Sequence, residues 1–344
     1  MDQEILRSLF HNILSIDELD GYLVPRRYTP SQRAFFDTIE YATIMGSKAR
    51  CSTGVTLEFD TDAEKIALFW QLLDGYPMNT AQRGSTIDVY IDGVLRWQYA
   101  LSCPFHTAQE TAVPLGTGDK RVVIWLPHTF DFALRDIAIP KTAKLIPVPQ
   151  RKRRILMLGD SITQGIGAAY ASTGYAMQAA AAFDCEALNQ SVAAVRFEPD
   201  CLADVGFMPD LITVALGTND WSNRKDKADF DFYAASFFAR LNELFPQSPV
   251  LVLSPVKRCR QEPDQPPFRP NLYRESKLFE ALTALCAPYT QMRCIDGWCL
   301  MPHTRAFFLD GLHPNDLGMT YFAQALLPYM HDAVKKAIKK PSKG

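Results

Sequence analysis

Past residue 154 the sequence alternates between short apolar runs and longer segments in which apolar residues recur at helical spacing. The apolar runs lie at 155–158, 185–191, 211–216, 250–254 and 293–296, and the helical segments lie near 174–183, 230–245, 273–287 and 318–336. Short apolar runs bounded by loops are typical of strands buried on both faces. Their alternation with helices predicts a parallel, doubly wound α/β sheet.

The residues before about 147 follow a different pattern, in which apolar and polar residues alternate. Runs rich in β-branched and aromatic residues occur at 55–62, 65–73, 85–102, 120–127 and 131–140, after a partly helical segment before residue 40. The dipeptide Asp92-Gly93 divides one run and predicts a tight hairpin, since such a turn needs positive φ. Several short strands separated by turns predict an all-β sandwich of jelly-roll type.

A segment rich in prolines and basic residues separates the two patterns. Residues 140–154 hold three prolines and end in Arg151-Lys152-Arg153-Arg154, which we interpret as the solvated end of a linker. A chain of 344 residues is long enough for two domains. We therefore predict a β-sandwich domain with a short helical lead-in over residues 1–147 and an α/β domain over residues 148–344.

The composition excludes several classes of partner and location. A formal net charge of −2 with 22% charged residues argues against nucleic acid as a partner. Residues 1–23 lack the basic and apolar regions of a secretory leader, and no run of about 18 apolar residues predicts a membrane span. Eight cysteines without a CxxC pair predict reduced thiols in a cytoplasmic protein. Whether the chain forms a homo-oligomer stays open.

Three of the predicted strands end in small or polar residues. In a doubly wound sheet, ligands bind at the carboxyl ends of the strands, so these ends meet at one rim. The ends are residues 159–161, 190–194 and 217–220. Taken singly, each has a local interpretation, with Ser161 as a helix N-cap and Asn219 and Asp220 as turn residues.

A carboxylate and an imidazole occur together near the end of the chain. Asp310 precedes His313 by three residues, just before the last predicted helix. A carboxylate placed this way can accept from one ring nitrogen while the other nitrogen faces the cleft, which is the tautomer that a general base needs. Among the six histidines, His313 is therefore the candidate base.

Three motifs in this order resemble signature blocks of the SGNH, or GDSL, hydrolase family. They are GDSITQG at 159–165, GTND at 217–220 and DGLHPN at 310–315, and the resemblance covers about residues 153–332. It implies a flavodoxin-like, three-layer α/β/α domain with a five-stranded parallel sheet. It also implies Ser161 as nucleophile, His313 as base and Asp310 as the residue that orients it, with no metal or cofactor.

The family resemblance also implies an oxyanion hole with three donors, and here the chain departs from the usual pattern. Two donors are the Ser161 N–H and the Asn219 side-chain amide, and the third is a backbone N–H. Ala194 stands where the family usually has glycine, and alanine supplies an N–H as well. If that position needs positive φ, we expect strain or a shifted loop, so the donor is Ala194 or a neighbour.

A β-sandwich in front of such a domain is similar to carbohydrate esterase family 2 and related bacterial acetylesterases. This implies a serine esterase that removes small acyl groups, with acetyl expected, from carbohydrate hydroxyls in a small-molecule or oligosaccharide ester. An acyltransferase that uses a sugar or natural-product hydroxyl, and a catalytically silent carbohydrate-binding protein, are the alternatives. The segment STIDVYI at 85–91 also resembles an Asp-Leu-Tyr-type signature of sandwich domains paired with this hydrolase.

Candidate substrate contacts follow the third and fourth predicted strands of the α/β domain. Trp221 comes directly after the GTND motif, and Arg258 and Arg260 lie in the proline-rich loop 256–271. A loop at this position overhangs the rim of the sheet, so its arginines could bind polar substrate groups. A solvated loop accounts for the two arginines equally well.

Overall fold

Three β-sheets organise the chain in the computed structural model, which describes residues 1–76, 85–259 and 271–338. The strands are β1 (Phe10–His11), β2 (Ser15–Leu19), β3 (Tyr22–Arg26), β4 (Thr56–Thr61), β5 (Lys65–Gly75), β6 (Thr86–Ile91), β7 (Val94–Ala100), β8 (Gln109–Pro114), β9 (Lys120–Trp125), β10 (Phe130–Ala138), β11 (Leu145–Pro147), β12 (Arg154–Gly159), β13 (Glu186–Ser191), β14 (Leu211–Ala215), β15 (Val250–Leu253) and β16 (Met292–Ile295).

The α-helices are α1 (Gln3–Ser8), α2 (Pro30–Thr38), α3 (Met45–Arg50), α4 (Ser161–Gln164), α5 (Tyr175–Phe183), α6 (Thr218–Asn223), α7 (Lys227–Leu244), α8 (Leu278–Cys286) and α9 (Asp316–Ile338). None of these described helices is both long and apolar enough to cross a bilayer.

The front of the chain forms two antiparallel sheets that share one core. The first has the order β1-β4-β9-β6-β7, with β11 also paired to β4, and the second has the order β2-β3-β10-β5-β8. Leu57 and Ile124 of the first sheet lie in the same buried cluster as Leu68 and Phe132 of the second. The expected all-β front domain is therefore present, while its jelly-roll connectivity stays a prediction.

Two Asp-Gly turns close hairpins in this part of the chain. Asp92 and Gly93 have φ of 51° and 76° between β6 and β7, which confirms the hairpin expected from the sequence. Asp20 and Gly21 have φ of 51° and 76° between β2 and β3. The second turn carries the same Asp-Gly sequence signal as the first.

The rear of the chain forms a parallel sheet with the order β13-β12-β14-β15-β16. This is the 2-1-3-4-5 order of doubly wound, flavodoxin-like folds, and it confirms the expected fold class. In β12, Ile155 and Met157 pack in the core shared with α5 and α9. Leu156 and Leu158 point the other way, into the core shared with α7 and α8. The alternation of side chains along buried strands thus produces three layers.

Part of the predicted front domain packs against the parallel sheet rather than in the sandwich. Tyr28, Phe36 of α2 and Met45 of α3 lie in the same buried cluster as Leu158 of β12. Helix α2 begins with a capping box, in which Thr29 and Gln32 satisfy each other's backbone N–H groups. The segment from about 27 to 53 therefore joins the two halves of the protein, and the boundary at residue 147 stays a prediction.

The carboxyl ends of three neighbouring strands lie at one level of the sheet. Gly159 of β12 pairs with Ser191 of β13 on one side and with Ala215 of β14 on the other. The loops after these strands hold Ser161, residues 192–195 and Asn219. The register thus brings the three candidate segments to the same rim.

Candidate active site

The candidate nucleophile lies at the start of a short helix directly after β12. Asp160 is the N-cap of α4, and its Oδ1 accepts a 3.0 Å hydrogen bond from the Ile162 N–H. Ser161 is therefore the first helical residue and not the cap, which corrects the local interpretation of Ser161. The turn needs glycine before it, because a Cβ at Gly159 would lie 2.5 Å from Thr163 Cβ.

Ser161, His313 and Asp310 form a continuous hydrogen-bonded chain. Ser161 Oγ lies 2.9 Å from His313 Nε2, and His313 Nδ1 lies 2.8 Å from Asp310 Oδ2. An ionised carboxylate can only accept, so the ring proton is on Nδ1 and Nε2 is free to accept from the serine hydroxyl. This arrangement is the one a serine nucleophile and its general base require.

The turn before α9 holds the carboxylate and the imidazole in place. Asp310 Oδ1 accepts hydrogen bonds from the N–H groups of Leu312 at 2.9 Å and His313 at 2.8 Å. The Leu309 N–H closes the turn on the His313 carbonyl at 2.8 Å. Partial burial raises the pKa of Asp310, but the bond and charge of His313 and the two N–H donors outweigh it. The net effect lowers this pKa well below its ordinary value, so the carboxylate is ionised at neutral pH.

The loop after β13 supplies the candidate oxyanion donor. Ala194 has a φ of 74°, in the left-handed region that favours glycine, and the loop is closed by a 3.1 Å bond from the Val195 N–H to the Val192 carbonyl. The Ala193 N–H is occupied, since it donates to Gln164 Oε1 at 2.7 Å. Within the described residues the Ala194 N–H has no hydrogen-bond partner, so of these two neighbours Ala194 has the free donor.

Asn219 lies between the candidate nucleophile Ser161 and the loop after β13. Its Nδ2 donates to the Val195 carbonyl at 3.1 Å and to Asp160 Oδ2 at 3.4 Å. The second contact is long and weak, so a stronger acceptor in the cleft can compete for that hydrogen. Gly217, with a φ of 112°, turns the chain from β14 into α6 and places Asn219 on the first turn of that helix.

Two other acidic residues near the site have structural partners. Burial raises the pKa of the Asp160 carboxyl to about 6, against the opposing effect of the Ile162 N–H. Burial likewise raises the pKa of Asp220 to about 6, although Arg224 Nε lies 3.0 Å from its Oδ1. Asp220 also accepts from the Phe197 N–H at 3.1 Å. Within the described residues, no group of three or more His, Cys, Asp or Glu side chains is placed to hold a metal ion.

Two of the predicted substrate contacts, Trp221 and Arg258, are hydrogen-bonded to other residues of the protein. Trp221 Nε1 donates to the Tyr273 carbonyl at 2.8 Å, and the Arg258 guanidinium lies 4.6 Å from the centre of the Trp221 ring. Arg258 also donates to the Thr218 carbonyl at 2.8 Å and to Ser222 Oγ at 2.6 Å. These bonds brace the helix that carries Asn219, and substrate contact by either residue stays a prediction. The predicted contact Arg260 lies outside the described residues.

Two buried side chains that are not among the residues predicted from the sequence support β13 and the loop after it. Gln164 is fully buried, and its Nε2 donates to the Lys48 carbonyl at 3.0 Å while its Oε1 accepts from Ala193. Arg27 donates to the carbonyls of Cys51 at 2.7 Å and Ser191 at 3.3 Å, and burial lowers its pKa. Gln164 stands inside the GDSITQG motif, but Arg27 has no local signal because its partners are backbone carbonyls.

Family models match both halves of the chain. Residues 157–321 match the GDSL-like Lipase/Acylhydrolase family, and residues 9–135 match the SsfX3 N-terminal domain. The two matches fall on the α/β half and on the sandwich half respectively. No curated protein sequence is similar enough to serve as a relative.

Solved structures share the fold over most of the chain. The salicylyl-acyltransferase SsfX3 from a tetracycline biosynthetic pathway has a TM-score of 0.77 at 22% identity, over 94% of each chain. A GDSL-like lipase from Bacteroides ovatus has a TM-score of 0.76 at 18% identity, over 95% of this chain and 96% of its own. A family two carbohydrate esterase from Clostridium thermocellum, solved with cellohexaose, has a TM-score of 0.64 at 13% identity, over 83% of this chain and 94% of its own.

Proposed function

Because residues 157–321 match the GDSL-like Lipase/Acylhydrolase family, we propose that the protein is a serine esterase that removes small acyl groups from carbohydrate hydroxyls. The observation that carries this proposal is the chain of hydrogen bonds from Ser161 Oγ through His313 to Asp310, at 2.9 and 2.8 Å. The acyl group is expected to be acetyl.

The reaction begins at the serine hydroxyl. Nε2 of His313 takes the proton of Ser161 Oγ as this oxygen attacks the ester carbonyl carbon, and the carbonyl oxygen becomes an oxyanion. The imidazolium then gives its proton to the leaving alkoxide as the ester C–O bond breaks, so the acyl group stays on Ser161. Water attacks the acyl-enzyme with the same base and releases the acid and the free serine.

The charges of the site favour the two charged species that form. The Asp310 carboxylate is ionised at neutral pH and stabilises the imidazolium of His313, to which it is hydrogen-bonded. The oxyanion would be met by the N–H groups of Ser161 and Ala194 and by the Asn219 amide. These donors are held by the protein before substrate arrives, so little reorganisation is needed in the transition state.

A carbohydrate ester is the favoured substrate class because of the architecture as a whole. The family two carbohydrate esterase from Clostridium thermocellum shares both halves of the fold and was solved with cellohexaose. At 13% identity this similarity extends to the fold alone, so the substrate of this chain has to be determined by experiment. With such a substrate, the alkoxide that leaves and takes the proton of the imidazolium would become a sugar hydroxyl.

Acyl transfer to a second hydroxyl is the other candidate function. It is favoured by the match of residues 9–135 to the SsfX3 N-terminal domain, since SsfX3 is a salicylyl-acyltransferase that covers 94% of this chain. Hydrolysis and transfer use the same acyl-enzyme and differ only in whether water or an alcohol attacks it. The catalytic residues therefore do not separate the two.

The proposal is tested by product analysis on a panel of esters. Acetate release would be measured from acetylated monosaccharides and xylo-oligosaccharides and compared with release of longer acyl groups, with and without added hydroxyl acceptors. Acetate release without an acceptor supports the esterase, and an acylated acceptor as the main product supports the transferase. Sugar binding without turnover of any ester would contradict both and favour a carbohydrate-binding protein.

A further inference from the structure

A buried carboxylate of the sandwich binds a loop of the α/β half. Asp88 lies on β6 and is fully buried. Its Oδ2 accepts hydrogen bonds from the Ser172 N–H at 2.7 Å and from Ser172 Oγ–H at 2.6 Å. Tyr90, two residues along β6, donates from its hydroxyl to Ser172 Oγ at 3.1 Å. Both polar residues of the Asp-Val-Tyr segment thus converge on one serine.

The loop that carries Ser172 runs from α4 to α5 and lies against the histidine turn. Gly167 has a φ of 105°, and a Cβ there would lie 2.2 Å from the Pro314 carbonyl oxygen and 3.0 Å from His313 Cβ. On the far side of the turn, Asp316 Oδ1 accepts from the Ala169 N–H at 2.9 Å. Thr173 Oγ1 lies 2.5 Å from the same oxygen. The loop therefore lies against His313 and Pro314 and is hydrogen-bonded to the Asp316 side chain, three residues after the histidine.

We propose that Asp88, Tyr90 and Ser172 are positioning residues through which the sandwich domain fixes the turn of the catalytic histidine. The inference rests on the proposed serine chemistry, because it assigns these residues an effect on the Ser161–His313 pair. They do not contact the reacting atoms, and they act through Gly167 and Asp316.

The chemistry of the joint favours positioning over simple adhesion. Burial of a carboxylate costs free energy because the charge loses its hydration, a cost that an apolar contact does not carry. This cost is not fully offset at Asp88, since its Oδ1 has no hydrogen-bond partner within the described residues. Burial accordingly raises the pKa of Asp88. Contact between two apolar surfaces would hold the domains together without the desolvation of a carboxylate, but it would not fix the position of the loop relative to β6. Directed hydrogen bonds do so, because they fix the Ser172 N–H and hydroxyl at once.

The test measures reactivity per active site in matched variants of the full chain. Ser172→Ala removes the hydroxyl and keeps the N–H bond to Asp88, and Tyr90→Phe removes one bond between the halves. Asp88→Asn keeps the shape of the side chain and removes the charge. Tyr99→Phe is the control, because its hydroxyl bonds to the Ala112 carbonyl at 3.2 Å within the sandwich.

Three readouts would be collected for each variant. They are the melting temperature, kcat and KM on p-nitrophenyl acetate with active sites counted by titration, and the rate at which a fluorophosphonate labels Ser161. We expect kcat and the labelling rate to fall together about ten-fold or more in Asp88→Asn, with KM nearly unchanged, because small misplacements of reacting groups slow catalysis strongly. Smaller falls are expected for Ser172→Ala and Tyr90→Phe, and none for Tyr99→Phe.

The outcomes separate this inference from the proposed function. Wild-type kcat and labelling rate per active site in the Asp88, Ser172 and Tyr90 variants would overturn the coupling, even if their melting temperatures fall. If the wild type is labelled at Ser161 but turns over no ester, the proposed function fails while the labelling rates still decide the coupling. If the wild type is not labelled, both fail, because there is no reactive pair to position.

Discussion

The side chain of Gln164 accepts a 2.7 Å hydrogen bond from the Ala193 N–H and so joins helix α4, which begins at Ser161, to the loop after β13. Its amide donates in turn to the Lys48 carbonyl at 3.0 Å, in helix α3 between the sandwich strands β3 and β4. This bond occupies the Ala193 N–H, whereas the next N–H, on Ala194, has no hydrogen-bond partner among the described residues.

Removal of this link should reduce catalysis more than it reduces substrate binding. In Gln164→Ala the buried Ala193 N–H loses its acceptor, so we expect the loop to shift and kcat to fall about ten-fold or more with a smaller change in KM. Gln109→Ala is the control, since that amide makes a solvent-exposed hydrogen bond to the nearby Thr107 carbonyl at 3.3 Å. Equal kinetics in the two variants, measured on p-nitrophenyl acetate, would show that the link is dispensable.

Because the backbone of Ala194 is left-handed, substitution by glycine at Ala194 and at Ala193 should change the free energy of unfolding in opposite directions. Alanine at a φ of 74° is strained by about 1–2 kcal/mol, so Ala194→Gly should raise the free energy of unfolding by about 0.5–1 kcal/mol after the entropy of glycine is counted. Ala193 is not among the positive-φ residues, so Ala193→Gly should lower that free energy by a similar amount. Urea denaturation of both variants checks the sign, and destabilisation by both would contradict the strain.

Asn219 should contribute mainly to the transition state. Loss of one oxyanion donor typically lowers kcat by about 10²–10³, so we expect this range for Asn219→Ala with little change in KM. Asn242→Ala, on α7, is the matched control, because its side chain bonds to Gln291 far from the rim. A kcat within about two-fold of the wild type would remove Asn219 from the oxyanion hole.

Glu186 should make stability depend on pH at the joint between the halves. Burial raises its pKa, but the bond and charge of His11 and the N–H donors of Arg151 and Asn12 outweigh this and lower the pKa to about 2. A carboxylate whose pKa is lowered by folding stabilises the protein at pH values above its unfolded pKa of about 4.3. This stabilisation is lost as the pH falls toward the pKa of the folded state. Glu186→Gln should therefore be less stable at pH 6 and lose less stability on acidification.

The acid dependence is checked by urea denaturation at several pH values below 6. Glu18→Gln is the control, because Glu18 is exposed and pairs with Arg7 at the surface. Its loss of stability between about pH 4.5 and about pH 2.5 should follow that of the wild type. An equal slope in Glu186→Gln would contradict the role of Glu186.

Much of the fold could be predicted because its signals are local. The run at 155–158 is apolar throughout because β12 is buried on both faces. The Asp92-Gly93 turn is recognisable because its backbone needs positive φ, which these two residue types favour. The placement of α2 and α3 on the parallel sheet could not be read in this way. Phe36 lies in the same buried cluster as Leu158, more than a hundred residues away in sequence, and such long-range packing gives neither segment a periodic pattern that would predict it.

The residues of the candidate site likewise differ in whether a local sequence signal predicts them. Ser161, Asn219 and His313 stand at strand ends or turns, where the parallel topology brings them to one rim, and their proposed roles stay predictions for experiment. Arg27 was missed because an arginine that binds backbone carbonyls looks like any other arginine in the sequence. The φ of Ala194 also depends on the whole loop, so the sequence could state only what positive φ would entail.

The most direct test of the account is the rate of p-nitrophenyl acetate hydrolysis in Ser161→Ala. Ser236→Ala, on α7, is the control, and both variants should melt near the wild type. We expect kcat/KM to fall at least about 10³-fold in Ser161→Ala and to stay unchanged in Ser236→Ala, because without the hydroxyl no acyl-enzyme forms. Wild-type hydrolysis by folded Ser161→Ala would contradict the assignment of Ser161 as the nucleophile.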